Sequence, residues 1–343
     1  MPDMKYRALG RTGVQVSTLC LGCMMFGDRT SEADSMDIID KAIDSGINFL
    51  DTANVYARGS SEVAVGKALK RNGKRSRIVL ATKVHGQMDD SDPNGGGTNR
   101  RHIIEQCEQS LRRLQTDYID LYQLHRPRSN TPIDESLRAL DDLIRSGKVR
   151  YIGTSTFAAW QVVESLWVSK ELGLNRFVCD QPPYHMLDRR VERELVPMAL
   201  TFGIGIIPWS PLARGFLTGK YTAGGKGAAE GRLSQQRERS RFAERTQLHF
   251  SEPGFAVVQA LETIASGKGC TMAQVALAWC AQQPGITSPI IGPRTMEQLM
   301  DNLGAADVQI TAEDRACIDK VAPPGRAIVP YYNADFGPHP FRW

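Results

Sequence analysis

The sequence predicts an α/β chain folded as a closed (β/α)8 TIM barrel, with an N-terminal β-hairpin, a long loop after the seventh strand and a C-terminal aromatic tail. Three observations carry this. Eight short apolar runs alternate with amphipathic stretches, which implies parallel strands joined by helices. Runs such as IDLYQL (119–124) and IGIIPW (204–209) read as strands covered on both faces. No G-x-G-x-x-G follows the first strand, and Gly203-Ile204-Gly205 runs into Pro208, so an open sheet would lack its phosphate loop. Eight units then favour closure.

The elements follow in order. Residues 5–17 make two strand-like runs around the turn GRTG, a hairpin capping the barrel. LCLGCM (19–24) is the first barrel strand, and EADSMDIIDKAIDSG is a helix ended by Gly46. After strand INFLD, helix SEVAVGKALKR begins at a Ser60-Ser61 cap, with Glu62 adding charge to its first turn. Strand RIVLATK, helix RRHIIEQCEQSLRRL and strand IDLYQLH come next. Helix PIDESLRALDDLIRSG opens with Pro132 and closes with Gly147, the expected asymmetry.

The second half repeats the rhythm. Strand VRYIGTST leads to helix AAWQVVESLWVSKELG, strand RFVCDQ to helix RRVERELVPMALTFG, and strand IGIIPWS to a Gly- and Arg-rich insertion over 213–250. Helices GFAVVQALETIASGKG and MAQVALAWCAQQPG, strand TSPIIG, and helices TMEQLMDNLG and AEDRACIDKV complete one barrel domain spanning 1–343. GGKGAAEG (224–231) reads as a mobile loop with the flexibility of a lid, and 323–343 as a tail with an aromatic-rich end.

Composition narrows the function. With 41% hydrophobic and 23% charged residues the 343-residue chain can bury a core, which excludes disordered and collagen-like classes. Its 42 Lys and Arg against 38 Asp and Glu leave a charge of +4 without a basic block, so neither nucleic acid nor a membrane is expected as partner. The start, MPDMKYRALG, has no apolar signal region, and a cytoplasmic location is expected. Seven cysteines, an odd number, argue against a disulfide framework. Cys20 and Cys23 have C-x-x-C spacing, but a strand turns them to opposite faces and no second pair follows, so they read as buried thiols and no metal is expected. Nothing in the sequence speaks to oligomeric state.

In a barrel, catalytic side chains come from the C-terminal ends of strands. Those ends supply Asp51, Lys83 and His125, and Tyr56 follows Asp51 by five residues. A strand-end Asp is often only a cap, and a lone His or Tyr is usually structural. Four such residues around one mouth are harder to dismiss. Tyrosine is a poor acid near neutrality unless a cation stabilises its phenolate. Lys83 has that charge, Asp51 can hold Lys83, and His125 can bind a substrate oxygen. The set suits protonation of a carbonyl as it becomes an alkoxide, and the hydride must come from a cofactor.

The blocks INFLDTANVY, VLATK, LYQLH, GKVRYIGTS, PWSPLARGFLTGKY and IIGPRTMEQLMDNLGA resemble, in order, those of the aldo-keto reductase superfamily, from about Lys5 to the last helix. The resemblance implies that Tyr56 is the general acid, with Asp51, Lys83 and His125 completing a tetrad, and that NADPH lies extended across the barrel mouth. It implies that Ser155 and Gln181 hold the nicotinamide carboxamide, with Thr156 standing where relatives usually have Asn. Trp209 would stack on the nicotinamide, and 210–217 would strap the pyrophosphate through backbone amides and Arg214, with Ser210 and Leu212 in contact. Gly292, Arg294, Gln298 and Asn302 would take the adenosine 2′-phosphate and adenine, Arg294 being the phosphate partner.

Met25, Phe26, Arg126 and Trp209 are expected to wall the substrate site, aided by the insertion and the tail, which favours bulky cyclic ketones or aromatic aldehydes over small sugars. Two other classes stay open. Some members of the superfamily serve as cofactor-holding subunits of potassium channels with slow turnover. A metal-dependent barrel lyase or hydrolase is the third reading, although no His/Asp/Glu cluster at the strand ends supports it.

Overall fold

A computed structural model describes residues 4–221, 233 and 246–330. The loop segment 224–231 and the aromatic part of the tail, 331–343, lie outside the described residues.

Strands β1 (Tyr6–Ala8) and β2 (Gln15–Ser17) pair antiparallel as the hairpin. Eight parallel strands follow: β3 (Cys20–Gly22), β4 (Phe49–Asp51), β5 (Val79–Val84), β6 (Ile119–Leu124), β7 (Val149–Thr154), β8 (Phe177–Asp180), β9 (Gly205–Ile206) and β10 (Ile290–Ile291). They pair in sequence, with β10 returning beside β3. The last seam is closed by Thr287 N donating to Ile206 O and Ile290 N donating to Pro208 O, both at 2.8 Å. Strand β9 is only two residues long because Pro208 brings no N–H to a ladder. The molecule is a (β/α)8 barrel.

Around the sheet run α1 (Glu32–Asp44), α2 (Ser60–Asn72), α3 (Arg100–Leu114), α4 (Ile133–Arg145), α5 (Ala159–Glu171), α6 (Leu195–Phe202), α7 (Glu252–Lys268), α8 (Met272–Ala281), α9 (Met296–Leu303) and α10 (Ala312–Val321). Among the described residues, α7 and α8 both lie between β9 and β10.

Two local expectations are corrected. Helix α2 is capped by Gly59 at φ 99°, not by Ser60 or Ser61. Ser61 is buried and its hydroxyl bonds Cys23 O and Thr52 Oγ1. Glu62 does bring its charge to the first turn of α2, facing inward, where its carboxylate accepts from Thr82 Oγ1 and Arg113 Nε at 2.6 Å each. The stretch 189–203 is not one helix. A short 3-10 turn (Arg190–Glu192) precedes α6, because the ring of Pro197 excludes a bond to the carbonyl four residues back.

The core has two layers. Inside the barrel lie Phe49, Ala81, Leu121 and Cys179, with Leu9 and Val16 of the hairpin beneath them. A larger cluster fills the space between sheet and helices. The hairpin shuts the N-terminal end of the barrel at close range: a Cβ on Gly10 (φ 58°) would lie 2.4 Å from Val178 O. Cys20 belongs to the inner layer and Cys23 to the outer, as a strand requires, and all seven thiols are free. The described ends of the insertion are pinned by rings, with Phe216 stacked on Tyr221 at 6.1 Å and against Phe255 at 5.4 Å. Among the described residues no helix is long and apolar enough to cross a membrane.

Candidate active site

Strand periodicity builds the centre of the site. Phe49, Ala81, Leu121 and Cys179 point into the barrel, so the residues two positions on must point there too, one layer nearer the C-terminal mouth. Those residues are Asp51, Lys83, Gln123 and Gln181. An apolar floor thus carries a polar layer.

Lys83 is completely buried. Its ammonium donates to Asp51 Oδ1 at 2.5 Å, Thr52 O at 2.8 Å and Tyr56 Oη at 3.3 Å. Burial works against its charge, but Asp51 and then Tyr56 outweigh that and hold its pKa above the ordinary value. Tyr56 opens a short turn, Tyr56–Gly59, in which Ala57 (φ 47°), Arg58 (φ 48°) and Gly59 (φ 99°) are all left-handed. For Ala and Arg this conformation is strained, and it aims the phenol back over Lys83. His125 stands edge-on to the Tyr56 ring, with centroids 5.6 Å apart. Burial, then the charges of Arg126 and Lys83, push its pKa well below the usual imidazole value, so His125 is neutral. A neutral imidazole offers one N–H to a ligand oxygen.

A cavity of about 520 Å3 opens above this cluster. Asp51, Tyr56, His125, Ser155, Gln181, Trp209, Ser210, Leu212, Arg214, Gly292, Arg294, Gln298 and Asn302 all line it, as do Met25 and Arg126. Lys83 lies behind the wall. Thr156, held at φ 70°, is also behind it, its hydroxyl accepting from Arg126 Nη1 at 3.0 Å.

Phe26 is a correction. It is fully buried in the outer core, its amide bonded to Cys23 O, and the cavity wall is made by Met24 and Met25 instead. The loop turns at Phe26, so the ring faces the helices and not the mouth.

In the strap, four backbone amides are bonded locally. The amides of Ala213, Arg214, Gly215 and Leu217 already bond Ser210 O, Ser210 Oγ, Leu212 O and Leu212 O. Charge near the strap therefore comes from side chains. Sequence reasoning missed two of them, Arg29 and Lys220, which line the same cavity. Burial and the neighbouring Arg294 lower the pKa of Lys220, so two cations face one space. Lys220 sits in the block that carries the strap, GFLTGKY, and its charge was a readable signal.

Just outside the barrel interior, Asp180 is fully buried and takes a hydrogen bond from Thr154 Oγ1 at 2.7 Å, while its Oδ2 meets no partner among the described residues. Burial raises its pKa to about 7. A carboxyl whose folded pKa lies above its unfolded value of about 3.9 loses stability as pH rises between the two. Asp180→Asn should therefore gain on the wild type by on the order of 1.4 kcal/mol per pH unit across that window. Denaturant melts at pH 5 and pH 8 measure this, and a difference constant with pH would refute it.

A closed parallel barrel thus gathers an acid, a lysine, a phenol and a neutral imidazole at its C-terminal mouth, groups that together can hold and hand on a proton. The sequence profile of the aldo/keto reductase family matches residues 18–323. The chain is 38% identical over 330 residues to "Uncharacterized oxidoreductase YrpG" of Bacillus subtilis (strain 168), covering 93% of this chain and 96% of that one. It is 37% identical over 308 residues to a "Probable voltage-gated potassium channel subunit beta" of Oryza sativa subsp. japonica, covering 89% and 92%. A protein of the same description from Arabidopsis thaliana is 38% identical over 310 residues, covering 89% and 92%. The chain belongs to the aldo/keto reductase family, a family of oxidoreductases.

Proposed function

We propose that this protein reduces an aldehyde or ketone to the alcohol with NADPH, using Tyr56 as general acid. The observation that carries this is the buried Asp51–Lys83 pair, whose ammonium lies 3.3 Å from the Tyr56 hydroxyl at the head of the cavity. The cavity suits a phosphorylated dinucleotide. Trp209 offers a flat face, and Lys220 and Arg294 raise a positive field that an anion relieves. Ser155, Gln181 and Trp209 would hold the nicotinamide, Arg214 the pyrophosphate, and Arg294, Gln298 and Asn302 the adenosine end.

The bound nicotinamide supplies the hydride. The protein's own residues do the rest. His125 donates to the carbonyl oxygen and fixes it beside Tyr56. Tyr56 Oη gives up its proton to that oxygen as negative charge develops there. Lys83 stabilises the phenolate left behind, and Asp51 keeps Lys83 charged and in place. Met24, Met25 and Trp209 form apolar wall and Arg126 a charged one, which favours bulky cyclic ketones or aromatic aldehydes over small polyols. The test is NADPH oxidation across a panel of such carbonyls with glyceraldehyde as the small comparison. No turnover on any of them would end the reductase reading.

The cofactor preference has its own test. Arg294→Ala should weaken NADPH binding by roughly 1.5–3 kcal/mol, the worth of a charged hydrogen bond, and leave NADH nearly unchanged. Lys220→Ala should act in the same direction. Equal losses for both cofactors in a fluorescence titration would show that Arg294 does not read the 2′-phosphate.

The two plant relatives favour a second reading, a cofactor-binding subunit of a membrane channel with slow turnover. Measured turnover, and a membrane partner that co-purifies, separate the two.

A further inference from the structure

We propose that Gln123 is a positioning residue for the proton-donating cluster, tying the Asp51 carboxylate to the Gln181 amide. The inference rests on the reductase reading above. Gln123 is completely buried and forms no part of the cavity wall, so it acts only through its neighbours.

The geometry is a closed triangle. Gln123 Nε2 donates to Asp51 Oδ2 at 3.1 Å, and Gln181 Nε2 donates to the same oxygen at 2.9 Å. Gln181 Nε2 also donates to Gln123 Oε1 at 3.2 Å. The amide orientations are dictated by chemistry, because an ionised carboxylate only accepts and both amides must turn N–H groups toward it. Each oxygen of Asp51 then has its own donors, the ammonium of Lys83 on Oδ1 and two amides on Oδ2. Both N–H groups of Gln181 are engaged, so what it offers the cavity is its carbonyl. Gln123 thereby links the cavity wall to the group that holds Lys83 under Tyr56.

The fold makes room for this side chain. Gly153 is the register partner of Gln123 on β7. A Cβ there would lie 2.6 Å from Cys179 Sγ and 3.3 Å from Gln123 Cγ. Around Gln123 stand Asp51 from β4, its register partner Lys83 on β5 and, across Gly153, Cys179 from β8, with Tyr56 reached through Lys83 and Cys20 facing Asp51. Burial and the Asp51 charge keep Cys20 protonated, and burial and Asp180 do the same for Cys179.

The experiment compares wild type, Gln123→Met and Gln123→Glu. Gln123→Met keeps the volume and removes both hydrogen bonds, and kcat per folded molecule should fall about tenfold while the Kd for NADPH changes less than threefold. Gln123→Glu is the discriminating variant. A protonated carboxyl can donate to Asp51 and accept from Gln181 as the amide does, whereas an ionised one repels Asp51. Its turnover relative to wild type should therefore approach one at low pH and drop as pH rises. Without any cofactor, its unfolding midpoint should also fall as pH rises above about 4.3, the unfolded carboxyl's pKa, since burial beside Asp51 raises the folded value. If kcat and pH profile match wild type in both variants, or if Gln123→Met changes only the folded fraction, Gln123 is packing and the proposal is overturned. A wild type without turnover on any carbonyl sinks the reductase reading instead, which is a different result.

Discussion

Replacing Tyr56 by phenylalanine should leave NADPH binding intact and lower kcat at least about a hundredfold, the scale of a lost general acid. The ring keeps its edge contact with His125, so the cavity keeps its shape, and only the hydroxyl 3.3 Å from Lys83 Nζ is removed. Steady-state rates on the best carbonyl, beside a fluorescence titration of the cofactor, make the comparison. A variant that keeps more than half the wild-type rate would assign the proton to another group.

Lys83→Met should cost both rate and stability. The substitution leaves Asp51 only 3% exposed and without its cation. Breaking a buried ion pair from one side costs about 3–5 kcal/mol. Urea melts at pH 8 should show that loss, and turnover should fall about as far as in Tyr56→Phe. The double variant should be little worse than either single one, because the two residues act as a unit. Wild-type stability at pH 8 in Lys83→Met would contradict the buried pair.

Much of the barrel was legible because its signals are local. Helix α3 begins and ends where the pattern RRHIIEQCEQSLRRL does, and Asn99 caps it with its side chain. What failed was local pattern overruled by distant partners. Ser61 reads as a cap, yet its hydroxyl is claimed by Thr52 and Cys23. Glu62 is legible as a first-turn charge, but its partner Arg113, 51 residues on, is not. Phe26 follows Met25 in sequence but turns away from the cavity, which no spacing rule could foresee. Gln123 could have been found, since it has the strand parity of Leu121 below and interrupts an apolar run. Asp51, Lys83 and His125 converge because strand ends around one mouth do so by construction, and the turn after Asp51 brings Tyr56 to them. Lys220 is a single lysine among strap residues in the sequence, and only the fold brings it to the cavity beside Arg294.

The left-handed turns after Tyr56 and within the strap share a trait. Each contains an arginine, Arg58 at φ 48° and Arg214 at φ 60°, beside a glycine that adopts the same hand at no steric cost. A mutational walk would find glycine at either position the more comfortable backbone choice. A lineage that keeps arginine there is holding on to the side chain despite the backbone, and in each turn the guanidinium has somewhere to go. Arg58 forms an exposed ion pair with Asp90, and Arg214 lines the cavity. Uncomfortable residues of this kind are informative to a protein engineer. They mark where relaxing the chain for heat tolerance would remove an ion pair at one turn and a charge lining the cavity at the other.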